Sequence, residues 1–192
     1  MLKNHFLNNI PSGILLALGR LDLSISKGGE TRPIEELLSR TVLVGGKRLR
    51  PLMTLLFGEL FGENLNITSQ LARSIEFVHA ASLSHDDVID NAKTRRGLPS
   101  INVVGSNQRA VLAGDFLLAQ VIVELTNLGN LKLVNEMSRV IQSLAEGEWI
   151  QLEASEKRNY SREVIEEIAN KKTASVMSWC TTAPAISKNM SP

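Results

Sequence analysis

Apolar residues recur at three- and four-residue spacing along nearly the whole chain. No window shows the sustained alternation of β-branched and aromatic residues that marks a half-buried strand. The pattern predicts an all-α chain punctuated by glycine, proline and capping residues. A first helix occupies the stretch MLKNHFLNNIPSGILLALGR and ends before Gly28 and Gly29. Thr31 and Pro33 read as the cap and first-turn proline of a second helix, which Gly45 and Gly46 break. A third helix follows Pro51 and stops near Gly62. Asn66 or Thr68 caps a long fourth helix through Leu71, Ile75, Val78 and Leu83 toward Asp90. Loops at 97–100 and 105–107 precede helices over residues 110–128, about 131–154 and 162–186, the last capped by Ser161. Connections of a few residues make sequential helices antiparallel neighbours, so the expected fold is an antiparallel helical bundle.

Composition narrows the function classes. The 192 residues, 43% of them hydrophobic, suffice for one domain or for most of a larger one. Lys and Arg number 21 against 20 Asp and Glu, a net charge of +1 that gives no global field toward nucleic acid or an anionic membrane. Electrostatic function must then be local. No run approaches the roughly 18 uncharged apolar residues of a spanning helix, and the N-terminal stretch lacks a signal-peptide cleavage site, so no membrane span is expected. The single cysteine, Cys180, forms no intrachain disulfide, which fits a reducing, cytoplasmic setting.

The local charge is concentrated in SLSHDDVIDNAKTRRG, residues 82–97. At about 100° per residue, Asp86 and Asp90 lie some 40° apart on one helix, with Asp87 in the same third of the circumference. Like charges this close repel unless a cation completes them or solvent surrounds them. Carboxylate ligands on a rigid helix suit a hard ion such as Mg²⁺, which keeps several waters and shares substrate phosphates. Arg95 and Arg96 follow at the helix end, and GGKRLRP supplies Lys47, Arg48 and Arg50 on a glycine-preceded turn. An acidic patch with two basic clusters has the chemistry of a site for two diphosphates; a solvated acidic face is the plainer alternative. His79 lies about 20° from Asp86 and two turns earlier, either facing the same cavity or bonded in the core. His85 points about 100° away, toward packing or solvent. Asp115, the pair Glu148 and Gln151, and the pair Lys172 and Thr173 are further polar positions within apolar helices, each weak alone.

With these residues in view, the chain resembles the trans-isoprenyl (polyprenyl) diphosphate synthases. GGKRLRP, HDDVID, RRG, AGD, GEWIQ and KTA stand in that family's order, and the resemblance covers about residues 45–186. It implies a helical bundle around a deep cavity, usually a homodimer. It implies a prenyltransferase that joins isopentenyl diphosphate to an allylic diphosphate with release of pyrophosphate. By the same resemblance Asp86, Asp87 and Asp90 hold the allylic diphosphate through Mg²⁺, and Arg95 assists. Lys47, Arg50, His79 and Arg96 correspond to the isopentenyl diphosphate site, and Gln151, Lys172 and Thr173 stand beside the allylic substrate. Product length in the family depends on the cavity's depth. The small Ala81 and Ser82 before the aspartates, with Val78 and Ile75 below, point to a medium- or long-chain enzyme.

The resemblance also implies a second aspartate-rich motif, and no D-D-x-x-D follows Asp90. Residues 1–192 therefore read as a single, C-terminally incomplete domain, whose bare apolar faces are expected to drive association. An alternative function is a non-catalytic subunit or fragment that binds diphosphates and needs a partner chain. A helical bundle with an unrelated acidic face would bind none, and a terpene cyclase would lack use for the second basic cluster.

Overall fold

A computed structural model describes residues 9–25 and 32–190. The glycines at 28 and 29 and the expected cap Thr31 lie outside the described residues. Helix α1 (Ser12–Gly19) leads to α2 (Pro33–Arg40), with Pro33 at its first position as its fixed φ favours. A turn with Gly45 at φ 68°, Gly46 at φ 87° and Arg48 at φ 49° then reverses the chain into α3 (Leu49–Leu60). Pro51 stands in the first turn of α3, where its missing N–H costs nothing.

The 25-residue α4 (Leu65–Ile89) is the axis of the bundle. Its cap is Asn64, whose side chain accepts from the Asn66 N–H at 2.8 Å, rather than Asn66 or Thr68. The Thr68 hydroxyl instead donates back to the Asn64 carbonyl at 3.0 Å, a bond that a helix-interior threonine can make. Leu71, Ile75, Phe77 and Val78 are fully buried, each worth about 1.5–3 kcal/mol of apolar transfer.

After α4 comes a feature the all-α reading omitted: β1 (Thr94–Arg95) pairs antiparallel with β2 (Leu98–Pro99). The two central residues, Arg96 at φ 55° and Gly97 at φ 82°, make the tight turn whose twist suits a two-residue hairpin. The short α5 (Ile101–Val104) precedes α6 (Asn107–Asn127), capped by Ser106. The buried residues of α6, Ala110, Ala113, Leu117, Val121 and Leu125, repeat at helical spacing. By length and composition α6 is apolar enough to cross a membrane. Asp115 interrupts it, which is why a search for uncharged runs passes over it, and its main packing partner is α4.

Asn130 caps α7 (Leu131–Lys157), and Ser161 caps α8 (Arg162–Ala169) as expected. The helix expected over 162–186 is not continuous: a π-helical turn at Asn170–Ala174 separates α8 from α9 (Ser175–Ser187). Helix α9 packs on α3, α4 and α7, and α1 closes a smaller cluster of Ile10, Ile14, Leu52, Leu55 and Ala72.

The α3–α4 contact depends on Gly58, where a Cβ would lie 2.2 Å from Thr68 Cγ2. Gly58→Ala is therefore expected to destabilise the fold by about 1–3 kcal/mol through overpacking, reversing the roughly 1 kcal/mol gain of Gly→Ala in an open helix. Chemical denaturation reads the sign, and Thr68→Ala in the same chain should recover most of the loss.

Candidate active site

A cavity of about 500 Å³ opens between α4, α6 and α7. Its α4 wall is the stripe Val78, Ser82, His85, Asp86 and Ile89, and Leu118 of α6 and Leu144 of α7 stand among the apolar side chains facing it. Of the four residues expected to set the cavity's depth, Val78 and Ser82 line it; Ala81 and Ile75 do not. Both of the latter are fully buried in the main core, because the neighbouring helices also cover those sides of α4.

Asp86 meets its partners from the far side of the bundle. Burial first, and then the nearby Glu148 carboxylate, raise its carboxyl to about 6; Asp90 adds to this, while Lys172 and Arg95 oppose it. Lys172 Nζ is ion-paired to Glu148 Oε2 and donates to Gln151 Oε1 at 3.0 Å. Two features bring the lysine there. The π turn sets Lys171 and Lys172 along α7, and Gly147 leaves room: a Cβ at 147 would lie 2.7 Å from Lys172 Cγ. Lys171 makes the parallel ion pair with Glu146 at 2.6 Å. Glu148 Oε1 is buried without a hydrogen-bond partner among the described residues. Thr173, expected beside Lys172 in the site, is exposed on the π turn and does not line the cavity.

Asp87 corrects the expected three-carboxylate patch. It is fully buried and turned from the cavity, with Oδ1 accepting from Arg95 Nε at 2.9 Å and Nη2 at 2.6 Å. The hairpin is the cause, since β1 folds Arg95 back under the helix end. Asp86 and Asp90, one turn apart, remain as the open pair, Asp90 exposed. Among the described residues no three His, Cys, Asp or Glu side chains form a ready-made metal cage.

The two adjacent arginines serve different places. Arg96, left-handed, sends Nη1 to the Val44 carbonyl at 3.1 Å and lies over Gly46, where a Cβ would come within 2.7 Å of it. It thus joins the GGKRLRP turn across 52 residues of sequence. Around His79, burial first and then the charges of Arg50, Arg96, Arg95 and Arg48 lower the imidazole to about 3, so the ring is neutral at physiological pH. Arg50 Nε is buried with no hydrogen-bond partner among the described residues, and Lys47 is exposed on the turn. The structure therefore brings Arg50, His79 and Arg96 together near the Lys47 turn, a cationic cluster two turns of α4 from Asp86.

Sequence reasoning missed the working partners of these residues. Glu148, a weak candidate in the sequence, is buried beside Asp86. His85 packs toward α6, its Nε2 3.2 Å from the Val111 carbonyl and 3.3 Å from Asp115 Oδ1. Both His85 and Asp115 edge the cavity. The small-residue signal was present in the AGD motif, since a Cβ on Gly114 would lie 2.2 Å from the His85 ring.

Comparison with known proteins follows the same lines. The Polyprenyl synthetase family profile matches residues 31–192. The all-trans-nonaprenyl-diphosphate synthase (geranyl-diphosphate specific) of Rhodobacter capsulatus is 35% identical over 184 residues, 94% of this chain. The chain spans 57% of that relative's length. A polyprenyl synthase from Caulobacter crescentus, solved with calcium and isoprenyl diphosphate, superposes with a TM-score of 0.84 at 32% identity, covering 94% of this chain and 55% of that one. A geranyltranstransferase from Thermotoga maritima gives a TM-score of 0.81 at 33% identity over 92% of this chain and 68% of its own. With the family pattern matched over most of the sequence and the helical bundle shared, the chain belongs to the polyprenyl synthetase family.

Proposed function

We propose that this chain is a Mg²⁺-dependent prenyltransferase domain that elongates an allylic diphosphate with isopentenyl diphosphate, releasing pyrophosphate. The observation that carries the reading is the division of charge along α4. Asp86 and Asp90 stand at its C-terminal end beside a lysine held by Glu148 and Gln151, and His79 stands two turns earlier among arginines. The nonaprenyl-diphosphate synthase relative is a long-chain enzyme by its name, and no Phe, Tyr or Trp stands among the α4 residues lining the cavity, which favours a medium- or long-chain product.

In this reading Lys47, Arg50 and Arg96 receive the diphosphate of isopentenyl diphosphate, with neutral His79 as a hydrogen-bond partner. Arg95, already bound to Asp87, holds the hairpin and offers its remaining N–H groups toward the allylic side. Two carboxylates one turn apart at the cavity's edge fit a divalent ion, since Mg²⁺ is usually held by one or two carboxylates with waters and substrate phosphates. When bound by Asp86 and Asp90, the ion neutralises the leaving diphosphate. Lys172 and Gln151 steady charge on the allylic side, Lys172 pre-oriented at no cost during the reaction. The apolar walls of α6 and α7 exclude water that would trap the allylic cation. Exposed Leu112 and Val123 on α6 support association as a homodimer. Residues 1–192 belong to a single polyprenyl synthase domain, of which they are a part, in the cytoplasm, where the buried Cys180 thiol stays reduced.

Labelled isopentenyl diphosphate and farnesyl diphosphate, incubated with the chain, should yield longer prenyl products with Mg²⁺ and none with EDTA. Absence of product from a folded sample that binds both substrates would contradict the reading. Lys172→Ala should lower kcat by about 10²–10³, the cost of one pre-oriented electrostatic partner.

The Asp86 carboxyl also predicts a pH dependence. The native state still holds the proton between pH 3.8 and about 6, where the unfolded chain has released it, so stability falls as pH rises through that window. Asp86→Asn is expected to raise Tm at pH 8 by about 2–4 °C, the effect of about 1 kcal/mol after discounting for partial exposure. At pH 3 the two proteins should melt alike, and scanning calorimetry without divalent ions checks both.

A further inference from the structure

One basic residue of the GGKRLRP turn does not behave as a ligand. Arg48 has a left-handed backbone, φ 49°, in a region that bulky residues enter at a cost of about 1–3 kcal/mol and hold only when the surroundings enforce it. Its guanidinium supplies the enforcement. Nη1 is ion-paired to Glu76 Oε1, and Nη2 donates to the Leu43 carbonyl. Glu76 is 5% exposed and stands one turn before His79 on α4. Leu43 is itself buried, its N–H bonded to the Leu38 carbonyl at 3.0 Å. One planar side chain thus ties together the end of α2, the glycine turn and the middle of α4. The glycine turn it pins is the one carrying Lys47 and leading into Arg50.

We propose that Arg48 and Glu76 are a positioning pair, which fixes the Gly45–Gly46 turn on α4 so that Lys47 and Arg50 converge with His79 and Arg96 on one diphosphate. The inference rests on the reading of that cluster as the isopentenyl diphosphate site and assigns roles to two residues outside it. A planar fork suits this role better than a lysine, because two donors in fixed geometry reach two acceptors at once. A buried carboxylate beside a cationic pocket works against anion binding by its charge alone, so its presence there calls for a compensating structural role.

That opposition makes the test diagnostic by sign. Glu76→Gln removes a negative charge from the edge of the pocket, and Coulomb's law alone makes isopentenyl diphosphate bind more tightly. The positioning role predicts the reverse. Calorimetry should show isopentenyl diphosphate binding weakened about tenfold in E76Q, with amide hydrogen exchange of residues 44–49 at least tenfold faster and that of 71–78 unchanged. Arg48→Lys keeps the charge but loses the fork, and it should reproduce both effects; it also carries the test if E76Q fails to fold. Unchanged or tighter binding in the variants would overturn the proposal. If the unaltered chain binds no isopentenyl diphosphate, the reading of the site fails instead. The exchange of 44–49 then decides the pair on its own, faster exchange supporting it and unchanged exchange overturning it.

Discussion

Three aspartates at the C-terminal end of one helix are the constraint around which this molecule is arranged. The helix dipole already presents partial negative charge there, so each added carboxylate costs stability unless a cation answers it. The chain solves the three differently. Asp87 is buried against Arg95, Asp86 is pushed by burial toward its neutral form while Lys172 from the opposite wall favours the charge, and Asp90 is left to solvent. The hairpin, the π turn and Gly147 all serve this end of α4, since they deliver the arginine and the lysine to it.

The basic pocket is built by the same economy of position. Arg96 and Arg95 are neighbours in sequence, but the left-handed turn sends one to the Gly46 turn and the other to Asp87. Arg48 and Arg50 are likewise two residues apart, the first spanning Glu76 and the Leu43 carbonyl, the second near His79 with an Nε that has no hydrogen-bond partner among the described residues. In each pair the two cations go to different partners. All four arginines nevertheless act on His79, whose imidazole they help to hold neutral.

Much of the fold is legible in the sequence because helical periodicity survives in the packing. Leu71, Ile75 and Val78 are core, Ser161 is a cap, and the breaks at Gly45–Gly46 and after Asp90 fall where the composition puts them. Periodicity could not reveal the hairpin, whose strands are two residues each, or the π turn, which inserts one residue into an otherwise continuous pattern. At the site, Lys172 and Gln151 meet as a pair beside Glu148, while Asp87, expected with Asp86 and Asp90, is buried against Arg95. An angle on a wheel says which face a residue occupies and not which partner takes it. Glu76 carried no signal and Glu148 only a weak one, because a buried acid is recognisable only once its arginine or lysine is in place.

The central claim is that α4 serves two separate diphosphates, one through its carboxylates and one through the arginines around His79. Titration calorimetry with isopentenyl diphosphate and with a non-hydrolysable farnesyl thiodiphosphate, each with and without Mg²⁺, tests it most directly. The account predicts that the allylic analogue binds only with Mg²⁺, that isopentenyl diphosphate binds without it, and that each binds with undiminished affinity in the presence of the other. Mutual displacement at a single site would contradict it.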